Sequence, residues 1–292
     1  MAVNDVMVQP ASKATASALG LRTISALVLA PPVLLAVYAG FPFFEAMLTT
    51  AAMVMVWEWD RLCTGGVFEK GGTIMALAIL AALASLAMGR PVLAPVALAI
   101  GAGALLVVSL LGRRRTEDGE PNSFSLPLWQ GAGMLCIGIP CLALLWLRGD
   151  SHSGRDTVIW LFAVVWCVDI GAYAFGRMVG GPRLAPALSP NKTWAGLIGG
   201  AACAAVAGAV AAAFLGKAGW APLAAVSAGL AVVAQGGDLV ESAVKRHFRA
   251  KDASNLIPGH GGLLDRADGL LAASLAVALL GMTGSGGVLT WT

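Results

Sequence analysis

The chain has 292 residues, of which 58% are hydrophobic and 12% charged, with a mean hydropathy of +0.80. Soluble domains carry about 25% charged residues, so a water-soluble globule is excluded and a membrane protein is expected. The net charge of +3 is too small to argue for a nucleic-acid partner.

Nine apolar stretches follow one another, at 22–41, 42–57, 71–89, 92–112, 126–147, 157–178, 194–216, 219–244 and 267–290. Most approach the ~20 residues a helix needs to cross a hydrocarbon core. Period-two alternation is lacking, and with no water to satisfy the backbone, helices are the remaining way to span. The predicted fold class is all-α: a polytopic integral membrane protein with about nine transmembrane helices. The first stretch exceeds the apolar core of a signal peptide and is read as the first helix. The five cysteines show no CxxC pair and read as small hydrophobes in apolar segments.

With nine spans and a cytoplasmic N-terminus, only Arg90, Arg148, Arg155 and Lys217 fall outside, leaving 15 of the 19 Lys and Arg residues inside. The positive-inside rule favours that topology. Its cytoplasmic bias suits anionic headgroups.

Two regions differ in texture. Residues 1–150, with about five spans, hold few intramembrane charges apart from Glu45, whereas residues 151–292 hold nearly every polar constellation. The loop Arg113–Pro121 is balanced in charge and reads as solvated. In the sixth span Asp169, Tyr173 and Gly176 lie at i, i+4 and i+7, and Arg177 follows. After it, Ser189, Lys192 and Thr193 beside Pro190 could clamp a phosphate, although Ser-Pro is also an ordinary turn signal. The seventh span contains Gly196-x3-Gly200, read as a close helix-packing surface.

From Asp238 to Asp268 the chain concentrates ten of its 35 charged residues. Charges near a bilayer are costly and tend to mark function. Asp238, Glu241, Ser242 and Lys245 share one helical face, and Glu241–Lys245 also fits a plain i,i+4 ion pair. Asp238 lies deeper, and that pair does not explain it. Then comes the turn Pro258-Gly259-His260-Gly261-Gly262, whose glycines allow close backbone approach to a ligand. Its N–H groups, with the helix start behind them, can bind phosphate oxygens. His260 is read as a turn-stabilising hydrogen-bond partner rather than a metal ligand. Asp265 and Asp268 share a face at the start of the ninth span; one alone could be a helix cap, but two facing Asp238 look like a cation site.

The run Ser242-x2-Lys245-Arg246-x4-Lys251-Asp252-x5-Pro258-Gly259-His260-Gly261-Gly262-x2-Asp265-Arg266-x-Asp268 resembles the signature of the phosphatidate cytidylyltransferase (CDP-diacylglycerol synthase) family. The stretches Ser189-Pro190-x-Lys192-Thr193-Trp194 and Asp169-x3-Tyr173 are similar to that family's other blocks. The likeness covers roughly 169–269, with the signature at 242–268, and departs at Ala195, where the family usually has Glu. It implies an enzyme that transfers a cytidylyl group from CTP to phosphatidate, giving CDP-diacylglycerol and pyrophosphate in phospholipid biosynthesis.

On this resemblance Asp238, Asp265 and Asp268 bind cation, with Mg²⁺ expected and a second cation left open. Lys192, Lys245, Arg246 and Lys251 hold phosphates of CTP or the lipid headgroup. Asp169, Tyr173, Ser189, Thr193, Ser242, Asp252, His260, Gly261, Gly262 and Arg266 complete the expected substrate-binding set. The implied location is the bacterial inner membrane, with a polar cavity in the C-terminal half opening to the cytoplasm. The expected partners are CTP, phosphatidate and membrane lipid; a homodimer is compatible with the chain. A transporter would show polar breaks in both halves, and here they lie in one. A CDP-alcohol phosphotransferase would need Asp-Gly-x2-Ala-Arg, and the Arg is missing after Asp268-Gly269-Leu270-Leu271-Ala272.

Overall fold

The computed structural model describes residues 28–112, 125–216, 219–257 and 261–283. The predicted solvated loop Arg113–Pro121, His260 and the N-terminal tail lie outside them. In order, the described elements are α1 (Val28–Ala39), α2 (Phe43–Thr64), α3 (Lys70–Ala87), α4 (Leu93–Gly112), α5 (Ser125–Arg148) and α6 (Gly154–Met178). They continue with strands β1 (Arg183–Ala185) and β2 (Ser189–Thr193), then α7 (Trp194–Phe214), α8 (Ala221–His247) and α9 (Leu264–Thr283).

Each predicted apolar stretch overlaps one of the nine helices found among the described residues. Seven of these, α3 to α9, are long and apolar enough to cross a membrane. The described part of α1 is shorter, and α2 carries Glu45, Glu58, Asp60 and Arg61. The count of nine spans therefore goes further than helix length and composition do.

Three boundaries at the polar end of the bundle differ from the sequence reading. α2 runs past residue 57 to Thr64 because its polar end is buried and partnered rather than released into water. Asp60 accepts from Glu69 N at 2.7 Å and from Gln130 Nε2 at 2.8 Å, and Trp59 Nε1 donates to Trp129 O at 2.8 Å. Similarly α8 continues to His247, whose ring lies 4.7 Å from that of Trp129. The ninth helix starts at Leu264, not 267, because side chains cap its first amides.

The hairpin β1–β2 was expected as a loop. It pairs antiparallel, with Arg183 opposite Thr193 and Ala185 opposite Ser189. Strands of three and five residues are too short to show a period-two pattern. Thr193 then caps α7, its Oγ1 accepting from Gly196 N at 3.1 Å.

The helices of the C-terminal half touch backbone to backbone. A Cβ on Gly200 would lie 3.0 Å from Val168 O, and one on Gly196 would lie 2.9 Å from Ala172 O. Without a hydrophobic drive between helices in lipid, such small residues supply the contact. The packing reading of this stretch holds. In the same way a Cβ on Gly208 of α7 would lie 2.6 Å from Leu223 O of α8, and one on Gly237 of α8 would lie 2.7 Å from Asp268 O of α9. These crossings bring the functional stretches of α6, α8 and α9 to one end of the bundle. At the other end Arg148 Nε donates to Val37 O at 2.8 Å, tying α5 to α1. All five cysteines are unpaired.

Candidate functional site

Three helices, a hairpin and a loop supply the expected residues. Asp169 and Tyr173 come from α6; Ser189, Lys192 and Thr193 from β2; Asp238, Ser242, Lys245 and Arg246 from α8; Lys251, Asp252, Gly261 and Gly262 from the loop; and Asp265, Arg266 and Asp268 from α9. Asp169 and Asp238 each sit nine residues in from the end of their helix, Met178 and His247. At 1.5 Å per residue that is about 13 Å below the helix ends. The polar site is sunk into the bundle.

At the bottom lies an acidic trio. Asp238, Glu241 and Asp268 each offer a carboxylate oxygen, and these atoms lie within 4.8 Å of one another. Like charges so close repel and need a positive partner. Two lysines supply part of it. Lys192 Nζ lies 2.6 Å from Asp238 Oδ2. Lys245 Nζ lies 2.5 Å from Glu241 Oε2 and 2.6 Å from Asp265 Oδ1. Glu241 Oε1 is buried with no hydrogen-bond partner among the described residues. An orphan carboxylate oxygen beside two more carboxylates fits a hard divalent cation, which takes oxygen ligands and retains room for phosphate.

Asp238 and Asp268 meet as the sequence leads one to expect. Glu241 joins them, while Asp265 lies against Glu241 but outside the trio. Besides Lys245, Asp265 accepts from Gly262 N at 2.7 Å and Ala253 N at 3.0 Å. It is tied to the lysine and to the loop. The glycines follow from this crowding: Gly261 has φ +86, and a Cβ there would lie 2.9 Å from Asp265 Oδ2. A Cβ on Gly262 would lie 2.7 Å from Glu58 Oε1. The amides read as phosphate donors are thus given to protein carboxylates, Gly262 N to Asp265 and Leu263 N and Leu264 N to Glu58.

The remaining residues ring this centre. Ser242 Oγ donates to Asp238 Oδ1 at 3.3 Å. Asp169 lies within electrostatic reach of Asp238, Lys192 and Arg266. Arg246 joins α8 to the hairpin through Leu188 O at 3.4 Å. Tyr173 is exposed, its hydroxyl accepting from Arg177 Nη1 at 2.9 Å. Lys251, Asp252 and Arg266 are also exposed, at the rim.

Two acidic residues escaped the sequence reading. Glu58 and Asp60 looked like loop charges after a short second span, yet both are fully buried. Their signal was the acidic pair bracketing Trp59 directly after an apolar run too short to span. Glu241 was placed on the face of Asp238 but read as an ion-pair partner of Lys245 and not as a cation ligand, since spacing along one helix cannot show what a second helix brings to it.

A family model for the cytidylyltransferase family matches residues 20–283. The chain belongs to this family. Among curated relatives, the phosphatidate cytidylyltransferase of Haemophilus influenzae (strain ATCC 51907 / DSM 11121 / KW20 / Rd) is 32% identical over 275 residues, 86% of this chain and 94% of that protein. The protein of the same name from Brucella suis biovar 1 (strain 1330) is 50% identical over 153 residues, 52% of this chain and 57% of the relative. One from Staphylococcus saprophyticus is 39% identical over 140 residues, 47% of this chain and 54% of the relative. The chain thus spans little more than half the length of the Brucella and Staphylococcus members it matches.

Proposed function

We propose that this protein transfers the cytidylyl group of CTP to phosphatidate, releasing pyrophosphate and forming CDP-diacylglycerol for phospholipid synthesis. The observation that carries the reading is the trio Asp238, Glu241 and Asp268, flanked by Lys192 and Lys245 and sunk between membrane helices. A site for a polyphosphate and a lipid phosphate needs cation-binding carboxylates, ammonium groups and a place at the membrane edge. Membership of the cytidylyltransferase family and the names of the relatives support the same reading.

In the proposed reaction a phosphatidate oxygen forms a bond to the α-phosphorus of CTP, and the bond from that phosphorus to the bridging oxygen of pyrophosphate breaks. The nucleophile is already anionic, so no strong base is required. The difficulty is repulsion between two anions and their alignment. Asp238, Glu241 and Asp268 would hold Mg²⁺, with Glu241 replacing Asp265 in the expected set. When bound, the ion supplies charge neutralisation to the phosphates and the departing pyrophosphate. Lys245, fixed between Glu241 and Asp265, presents its ammonium in one orientation. Lys192 approaches from the hairpin and holds the triphosphate, with Arg246 and Lys251 at the rim. Asp169, within electrostatic reach of Lys192 and Arg266, would help to hold their charges near the site.

The site faces the cytoplasm of a bacterial inner membrane, where CTP is available, and residues 151–292 form the catalytic region. Incubating purified protein with phosphatidate, Mg²⁺ and each labelled nucleoside triphosphate tests the function. CDP-diacylglycerol from CTP is expected; absence of that lipid product refutes the reading. In a background lacking native cysteines, cysteines replacing Leu256 and Arg90 should label from opposite sides of the membrane, and Leu256→Cys from the cytoplasmic side. Any other pattern refutes the orientation.

A further inference from the structure

The search beyond the trio leads to α2, a helix outside the stretch that resembles the family signature. Glu58 has no exposed surface. Its two carboxylate oxygens take three donors: Ser254 Oγ at 2.6 Å, Leu263 N at 2.8 Å and Leu264 N at 2.7 Å. The first lies in the loop after α8, and the other two are at the start of α9. A carboxylate at a helix start also meets the positive end of the helix dipole.

What Glu58 holds is what the chemistry needs fixed. The two amides belong to the turn that places Asp265 against Lys245 and, one helical turn later, Asp268 beside Asp238 and Glu241. Gly262 leaves space for the carboxylate to reach them. Glu58 is itself anchored from behind. The neighbouring Trp59 and Asp60 bind α5 through Trp129 O and Gln130, and Asp60 also binds the start of α3 at Glu69 N. Trp129 then packs against His247 and, edge-on, against Phe248 at the end of α8. The loop carrying Lys251 and Asp252 is therefore pinned at both ends by the N-terminal helices.

We propose that Glu58 is a positioning residue for the cation-binding carboxylates, setting the loop after α8 and the first turn of α9 so that Asp268 meets Asp238 and Glu241. This rests on the functional reading above. Outer partners of metal-holding groups commonly contribute about 10- to 100-fold to affinity or activity.

The test uses the full-length protein in lipid nanodiscs, with Mg²⁺ titrated in the cytidylyl-transfer assay and amide hydrogen exchange followed over residues 254–264. Glu58→Gln keeps the shape and removes the charge. It should speed exchange at Leu263 and Leu264, lower turnover about 10- to 100-fold and raise the Mg²⁺ concentration for half-activation. The KM for phosphatidate should move less than about twofold, since no lipid contact is lost. Ser254→Ala removes one donor, leaves both backbone bonds, and should shift exchange and the Mg²⁺ midpoint in the same direction by less. A merely structural glutamate would lower the melting temperature of Glu58→Gln and leave the Mg²⁺ midpoint unchanged; that result overturns the proposal. If Glu58→Gln does not fold, unchanged exchange and Mg²⁺ dependence in Ser254→Ala overturn it instead. Inactive wild-type protein would refute the functional reading, and the exchange comparison would still show whether Glu58 fixes the turn.

Discussion

Asp265 and Glu241 give the sharpest test of the site, because the geometry assigns them different work. Asp265 accepts from Lys245 Nζ at 2.6 Å, Gly262 N at 2.7 Å and Ala253 N at 3.0 Å, and its side chain is 4% exposed. Asp265→Asn keeps one acceptor oxygen and turns an NH₂ group towards donors. At least one charge-assisted hydrogen bond is lost, worth about 1.5–3 kcal/mol, along with one amide bond of about 1 kcal/mol. A loss of about 3 kcal/mol in holding Lys245 corresponds to a fall in turnover of about 10²-fold, at about 1.4 kcal/mol per decade. The assay is cytidylyl transfer from CTP to phosphatidate at saturating substrates, with Mg²⁺ varied over several decades. Because Asp265 acts through Lys245, excess Mg²⁺ should leave the defect in place. Glu241→Gln removes charge from the trio itself, and its defect should shrink as Mg²⁺ rises. Near-normal turnover of Asp265→Asn refutes the reasoning. Full recovery of that variant at high Mg²⁺ also refutes it and returns Asp265 to the cation ligands.

Two other substitutions probe different parts of the site. Lys192→Ala should raise the KM for CTP more than that for phosphatidate, as expected for uniform ground-state and transition-state binding by a hairpin lysine; separate substrate titrations check this, and an effect confined to phosphatidate would move Lys192 to the lipid side. Gly262→Ala puts a Cβ 2.7 Å from Glu58 Oε1, which three donors hold in place, so it should destabilise by about 1–3 kcal/mol and lower the melting temperature in detergent; an unchanged melting temperature would mean that the carboxylate has room to move.

The apolar stretches were legible because a membrane helix advertises itself by composition over some 20 residues. The polar end of the bundle was legible in Asp238, Asp265 and Asp268, since charge is conspicuous in an apolar chain. What the sequence hid were contacts made across distance. Glu241 sits one turn from Lys245, and the pair explains itself locally until α9 brings Asp268 beside it. Asp265 has the residue type and spacing of a ligand, yet three donors decide its partners: Lys245 Nζ from α8, and Gly262 N and Ala253 N from the loop that follows. Glu58 meets a helix that begins about 200 residues later; the acidic pair around Trp59 marked it as unusual, but nothing local named that partner. The β1–β2 hairpin was missed for the opposite reason, being too short for its pattern to rise above that of a turn.

The bond between Glu58 and Leu264 joins positions 206 residues apart, and this orders events during synthesis. At about 5–20 residues per second, the carboxylate is synthesised roughly 10–40 s before its amides exist. Through that interval α2 carries a charge whose final partners have yet to be made, at the rim of a bilayer that penalises it. A nascent chain halted before residue 263 has the helices of the N-terminal half and the carboxylates of α8, but lacks the turn that closes the acidic trio. Addition of α9 is thus the step that both shields Glu58 and closes the acidic trio, so burial of the one and assembly of the other coincide.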